Sequence, residues 1–300
     1  MTVRRRSSPE REAAEITGER RQLLNLAYRL LGSLTDAEDV LQETSARWYA
    51  LSPEQRDAIE SPGAWLTRVA SRICLDVLGS ARVRRERYVG EWLPEPLPDR
   101  SCDPADQITL DESVTMAFLV VLEQLTPAER VSFVLHDVFR YPFAEVADIV
   151  GRSPAACRQL ATSARRRIRT DQRDETPAAR RAEIVKDFQH AWEAKDIKAL
   201  VALLDPTAVM VADGGGQVST VLKPVVGGER IARHLVGIGR LAPDLALLAT
   251  TVGNRPGLVA THDGVTVTVA AFEVVDDRIT RIWAVRNPEK LASWSARGRS

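Results

Sequence analysis

The chain has 300 residues, 41 basic and 41 acidic side chains, zero formal net charge and 44% hydrophobic residues; this allows two or three packed domains and excludes a disordered or uniformly basic polypeptide. Its three cysteines, Cys74, Cys102 and Cys157, are far apart, with no Cys-x-x-Cys pair or His/Cys cluster, so neither a disulfide framework nor a metal site is expected. No apolar run reaches the ~18 residues of a membrane span, and MTVRRRSSPEREAAE lacks the apolar centre of a signal peptide, so a cytoplasmic protein without a membrane partner is expected.

Residues 1–19 read as a charged, mobile tail, and residues 20–90 as a helical block. Leu23, Leu24, Ala27, Leu30 and Leu31 form a helical stripe that stops at Gly32. Thr35 is expected to cap a second helix, Asp36 to Leu51, with Glu38 at the capping-box position. This helix would bury Val40, Leu41, Thr44 and Trp48 and expose Asp36, Asp39, Gln42, Glu43 and Arg47. A third helix from Pro62 to about Leu78 carries Arg68, Arg72 and Asp76 outward, with Trp65 expected in the core, and a basic knot of Arg82, Arg84, Arg85 and Arg87 follows.

Four prolines in residues 91–106 exclude a long helix, so 91–112 reads as a linker, although Trp92 and Leu93 are apolar for a solvated one. Residues 113–172 return to helix: Val114 to Leu125, Ala128 to Phe139, then two short helices around Gly151. Ser153 suits an N-cap and Pro154 the first helical position, and Cys157, Leu160, Ala164 and Ile168 mark the buried stripe. The opposite face offers Arg158, Gln159, Thr162, Ser163 and Arg166, within a stretch (152–173) of seven arginines against one acid, Asp171. That is a helix-turn-helix pattern with a free face able to meet phosphates or base edges.

Residues 171–177 break the pattern, and from 178 to 291 the texture becomes α+β. A helix at Glu183–Ala194 precedes β-branched runs at Ala208–Ala212, Val218–Leu222, Leu245–Thr251, Leu258–Thr261, Val265–Val275 and Arg278–Val285, read as a curved antiparallel sheet with one or two helices. Asp213 before three glycines and His262-Asp263-Gly264 both read as tight turns. With His234, these would be the titratable candidates for acid/base chemistry, but no pair is placed by the pattern; catalytic residues, cofactors and enzymatic activity are not expected. Residues 292–300 read as a tail.

LLNLAYRLLGSLTDAEDVLQETSARWYAL (23–51), SPGAWLTRVASRICLDVLGSARVRRERY (61–88) and LTPAERVSFVLHDVFRYPFAEVADIVGRSPAACRQLATSARRRI (125–168) together resemble regions 2 and 4 of extracytoplasmic-function sigma factors of the sigma-70 family. YVGEWLPEPL (88–97), DGGG (213–216) and NPEKL (287–291) extend the resemblance to the subgroup with a SnoaL-like C-terminal cone domain. Two positions depart from that subgroup: Gln217 stands where Lys is usual and Glu289 where Asp is common.

The resemblance implies promoter-specific transcription initiation with two partners, promoter DNA and the largest and second-largest subunits of core RNA polymerase. Asp36, Asp39, Gln42 and Glu43 would meet the polymerase clamp helices. Arg68, Arg72, Asp76, Arg82, Arg84 and Arg85 would meet the melted minus-10 strand. Arg158 and Gln159 would read or approach minus-35 bases, supported by Ser153 and Thr162, with Arg152, Arg165 and Arg166 clamping phosphates. Trp92, Leu93, Pro94, Asp213, Gly214, Gly215, Gly216, Asn287 and Pro288 would form regulatory contacts in place of a separate anti-sigma protein, and a small ligand in the C-terminal pocket stays open. Competing readings are a SnoaL-like enzyme or ligand sensor with a DNA-binding appendage, and a dimeric helix-turn-helix repressor.

Overall fold

The structure, a computed structural model, describes residues 9–85, 88–98, 114–171 and 176–295, and within these not the side chains of 9–18, 81–85, 169–171 and 295. Its described residues fall into two compact units, one from residues 9–81 and 125–166, the other from 82–98, 114–124 and 167–295.

In the first unit, α1 (Pro9–Leu31) begins inside the segment read as a tail and ends at Gly32, whose φ of 68° turns the chain. The turn leaves Ser33 extended, so its hydroxyl accepts from the Asp36 N–H at 3.2 Å and α2 (Leu34–Tyr49) starts there. The cap is therefore Ser33, not Thr35: both side chains can cap, but the earlier start also buries Leu34. A short α3 (Pro53–Asp57), too brief to show a periodicity, is held by a Ser52–Gln55 capping box. Helix α4 (Pro62–Arg85) runs past Leu78, because a single glycine costs a helix only ~1 kcal/mol. Trp48 is half-buried rather than core, its ring 5.3 Å from that of Trp65, which is half-buried too.

Thr126 and Glu129 form a capping box on α6 (Pro127–Phe133), which continues as one π-helical turn, Val134–Val138, instead of an α-helix to Phe139. Helix α7 (Phe143–Val150) ends at Gly151, at φ 69°, and α8 (Pro154–Asp171) opens where the Ser153 hydroxyl accepts from the Ala156 N–H at 3.2 Å. Cys157, Ala161 and Ala164 are buried, while Leu160 and Ile168 are half-buried.

The second unit is built on one six-stranded sheet, in the order β2-β1-β6-β5-β4-β3: β1 Leu204–Asp213, β2 Val225–Val226, β3 Ala246–Val252, β4 Arg255–His262, β5 Val265–Val275 and β6 Arg278–Val285. The expected antiparallel pairing holds for β1–β2, β3–β4, β4–β5 and β5–β6, but β1 pairs with β6 in parallel. That pairing joins segments more than 60 residues apart, which no local pattern encodes. Val218–Leu222 is not a strand; the Gly214 carbonyl accepts the N–H groups of Gln217 and Val218, and the chain turns there instead. His262-Asp263-Gly264 is a hairpin turn, with φ of 50° and 75° at Asp263 and Gly264.

Both sheet faces are covered. On β5, Ala270, Phe272 and Val274 join one core with Phe188 and Trp192 of α9 (Ala178–Glu193), Leu200 of α10 (Ile197–Leu203), and Ile231 and Leu235 of α11 (Gly228–Leu241). Val269 and Ala271, one step out of phase, join the other with Leu93, Met116 of α5 (Met116–Glu123), Trp283, Leu291 and Trp294. The segment read as a linker thus lies on the second face: Pro98 bridges Val252, and the Gly253 N–H donates to the Leu97 carbonyl at 3.0 Å. Residues 99–112 of that reading lie outside the described residues. The expected C-terminal tail is corrected for residues 292–295, while 296–300 lie outside the described residues. A 3-10 turn (Pro288–Leu291) leads into α12 (Ala292–Ser295), and the buried Trp294 indole donates to the Pro96 carbonyl at 2.8 Å.

Candidate functional site

The acidic face of α2 stands as the spacing requires: Asp39, Gln42 and Glu43 are exposed and Asp36 is half-buried. Glu43 pairs with Arg47 at 2.8 Å, one turn on. On α4, Arg68, Arg72 and Asp76 are exposed on one side, and the side chains of Arg82, Arg84 and Arg85 lie outside the described residues. Arg68 and Arg72 both turn to α7. Arg72 Nη2 donates to the Asp148 carbonyl at 2.8 Å, and Arg68 Nη2 lies 3.5 Å from Asp148 Oδ2. Beside them the Tyr141 hydroxyl donates to Thr67 Oγ1 at 3.0 Å. A cavity of about 350 Å³ opens along this seam, lined by Trp65, Arg68, Glu60, Tyr141 and Glu145 among others.

Arg152 and Ser153 in the turn before α8, and Arg158, Gln159, Thr162 and Arg166 on it, are exposed. Arg158 lies over the Phe143 ring at 5.3 Å, and that ring stacks on His136 with centroids 3.7 Å apart. Arg165 differs from the others: Asp137 holds its guanidinium through two bonds, of 2.6 and 3.3 Å, which braces α8 against the π-helical turn. Ser163 does the same with Glu129 at 2.7 Å.

The second unit brings the WLPEPL, DGGG and NPEKL residues together around Asp213, which closes β1 with no exposed surface. Asp213 is thus the last residue of the strand, and the turn lies in the glycines that follow it. Its Oδ1 accepts from the Tyr88 hydroxyl at 2.6 Å and the Gly215 N–H at 3.0 Å; its Oδ2 accepts from the Leu93 N–H at 2.9 Å and from Lys290 Nζ at 2.6 Å. A carboxylate has about four acceptor sites, and all are used. Lys290 Nζ also donates to the Leu93 carbonyl, so the aspartate and the lysine hold both main-chain polar groups of one residue in the 88–98 segment. The ammonium sits 4.1 Å from the centre of the Trp92 ring.

Asn287 completes the cluster: its Nδ2 donates to the Tyr88 hydroxyl at 3.1 Å, and its N–H donates to the Asp213 carbonyl at 2.9 Å. Gly215 has φ of 64°, and a Cβ there would lie 2.5 Å from Asn287 Nδ2; a Cβ on Gly216 would press on Val89. Leu93 and Pro94 are buried, Trp92 is half-buried and Pro288 is exposed. The two departures from the subgroup pattern face each other, Gln217 Nε2 donating to Glu289 Oε1 at 2.8 Å, so a neutral donor meets the carboxylate. Burial, and then the bond to Asp213, push the Tyr88 hydroxyl pKa up. Burial, with Arg286 nearby, pushes His234 down.

Tyr88, Lys290, Trp294 and Asp148 were not singled out from the sequence. Lys290 lies within NPEKL and Tyr88 opens the 88–97 signature, so both were in view as motif letters. Asp148 carries no signal beyond being an acid on a short helix. Among the described residues, no group of three or more His, Cys, Asp or Glu side chains could hold a metal ion, and no helix is long and apolar enough to cross a membrane.

Residues 16–87 match the sigma-70 region 2 family and residues 115–168 the sigma-70 region 4 family. The chain is 38% identical over 296 residues to the ECF RNA polymerase sigma factor SigJ of Mycobacterium tuberculosis H37Rv, covering 93% of each chain. It is 35% identical over 276 residues to a probable ECF RNA polymerase sigma factor, SigI, of the same species, covering 91% of this chain and 92% of SigI. The crystal structure of M. tuberculosis SigJ superposes with a TM-score of 0.76 at 34% identity, over 94% of this chain and 98% of that one. Two helical promoter-recognition regions followed by an α+β domain, with whole-length identity of this order, establish that this chain belongs to the extracytoplasmic-function RNA polymerase sigma factors.

Proposed function

We propose that this sigma factor is regulated by its own C-terminal α+β domain, which grips the 88–98 segment through Asp213 and Lys290 and serves where a separate anti-sigma protein would otherwise act. The observation that carries the reading is the saturated, fully buried Asp213. It spends its side-chain acceptors on Tyr88, Gly215, Leu93 and Lys290, joining the chain that follows region 2 to the core of the sheet domain. The same saturation argues against acid/base chemistry, since a general base must have a lone pair free for substrate. His262 and Asp263 sit on an exposed hairpin turn, which favours a non-enzymatic domain over a SnoaL-like enzyme.

Sigma factors bind core RNA polymerase and promoter DNA. Within this chain the α2 face of Asp36, Asp39, Gln42 and Glu43 suits a basic partner surface by charge complementarity. Arg158 and Gln159 suit base edges, while Arg152 and Arg166 suit phosphates, and Arg165 serves as their brace. Arg158→Ala is expected to weaken minus-35 promoter binding by about 1–3 kcal/mol in a gel-shift titration with holoenzyme, and unchanged binding would remove the assignment.

The regulatory reading is tested by run-off transcription with core polymerase, comparing the full chain with Asp213→Asn, Lys290→Met and a form ending near residue 175. A change in promoter output is expected, and identical output from all four sinks it. An enzyme with a DNA-binding appendage would fail to associate with core polymerase at all.

A further inference from the structure

We infer that Asp148 occupies, within the free chain, the seat on α4 that a backbone phosphate of the minus-10 strand takes, so that region 4 and single-stranded DNA compete for Arg68 and Arg72. The inference rests on the proposed reading of those two arginines as strand contacts. They stand one turn apart on α4, and both converge on one residue: Arg72 on the Asp148 carbonyl at 2.8 Å, Arg68 on its carboxylate at 3.5 Å. Two guanidinium groups thus meet two oxygens of one residue, its main-chain carbonyl and its carboxylate, and a pair of arginines one turn apart can likewise share the oxygens of a phosphate.

The seam is made to open. Its ion pair is solvated, with the Arg68 and Asp148 side chains 47% and 63% exposed, and such pairs hold weakly. The neighbouring Tyr141–Thr67 bond joins two neutral hydroxyls. A cavity of about 350 Å³ opens beside the contact, between Arg68 and Tyr141, where a permanent core would be close-packed. Arg130, on α6, donates to the Leu30 carbonyl of α1 at 2.8 Å, and its burial pushes its pKa down to about 9, a cost that parting α6 from α1 would relieve.

Promoter geometry requires the opening. Elements centred at minus-35 and minus-10 lie about 25 base pairs apart, or about 85 Å at ~3.4 Å per pair. A compact unit of this size has a radius of gyration of only about 14 Å. While Asp148 sits on Arg68 and Arg72, α4 and α8 cannot reach both elements together, so separating region 4 from region 2 both uncovers the arginines and allows the span.

The test is fluorescence anisotropy of the full-length chain with a labelled single-stranded DNA of mixed sequence, about a dozen nucleotides long. Asp148→Ala is expected to tighten binding about two- to fivefold, the range an exposed pair can contribute, and Asp148→Arg more. Tyr141→Phe, which changes no charge, is expected to tighten it as well, whereas Glu54→Gln, which removes one negative charge away from the seam, leaves it at the wild-type value. Arg68→Ala and Arg72→Ala are expected to weaken it. If the arginine variants weaken binding while Asp148→Ala and Tyr141→Phe match wild type, or if Glu54→Gln matches Asp148→Ala, the competition is overturned and the strand-contact reading survives. If the arginine variants bind like wild type, that reading fails and takes the competition with it.

Discussion

Asp148 and Asp213 each tie together segments far apart in the chain, and they do so by opposite means. Asp148 sits at a solvated seam, 3.5 Å from one arginine and bonded to another through its backbone, beside a cavity. Asp213 has no exposed surface and four donors on its carboxylate, one of them a lysine that is itself buried. An exposed ion pair gains little because water screens it; a buried one holds only when every lone pair is matched, and then removing one partner is costly. The first arrangement suits a joint that must part on a promoter, and the second suits a joint that transmits restraint without parting.

The most severe way to break this contrast is to remove one member of the buried pair. Asp213→Ala leaves the Lys290 ammonium buried against the Leu93 carbonyl and is expected to destabilise the second unit by about 3–5 kcal/mol in chemical denaturation, far more than Asp148→Ala destabilises the first. A cost below about 1 kcal/mol would make the two joints alike. Tyr88→Phe removes one of the four donors and is expected to cost about 1 kcal/mol.

The Tyr88 hydroxyl also carries a pH signature. Its folded pKa is raised, so the native state holds the proton more tightly than the unfolded chain, where tyrosine titrates near pH ~10. Its contribution is therefore complete below about pH 10 and declines as pH rises beyond that, a decline that Tyr88→Phe should lack in alkaline unfolding curves. The smallest effect is expected at the rim of the same cluster. Gln217→Lys would place a cation against Glu289 and add at most about 0.5 kcal/mol, fading as salt is added.

Legibility in the sequence followed the range of the interactions. The α7-Gly151-α8 element was readable because a left-handed glycine, a serine cap and a helical stripe all act within a few residues. Strands β5 and β6 match their expected bounds residue for residue, since the Asp276-Asp277 turn adopts φ of 51° and 61° and closes them as a local hairpin. Helix α11 was hidden by its own Gly228, Gly237 and Gly239, although Ile231, Ala232, Leu235 and Val236 give it a buried face. The DGGG turn was readable locally, since the chain turns in the glycines after Asp213; nothing nearby announces that a tyrosine 125 residues upstream and a lysine 77 residues downstream will surround the aspartate itself.

The sequence by itself determined that two helical blocks precede an α+β block, because caps, stripes and glycine turns are local and additive, and the order of its motifs carried the resemblance to sigma regions 2 and 4. Only the tertiary structure decided which aspartate is a solvated latch and which a buried clasp, that the proline-rich segment is a layer of the sheet domain, and that β1 runs parallel to β6. Those outcomes depend on burial and on partners distant in the chain, and both are properties of the packed molecule rather than of any stretch of residues.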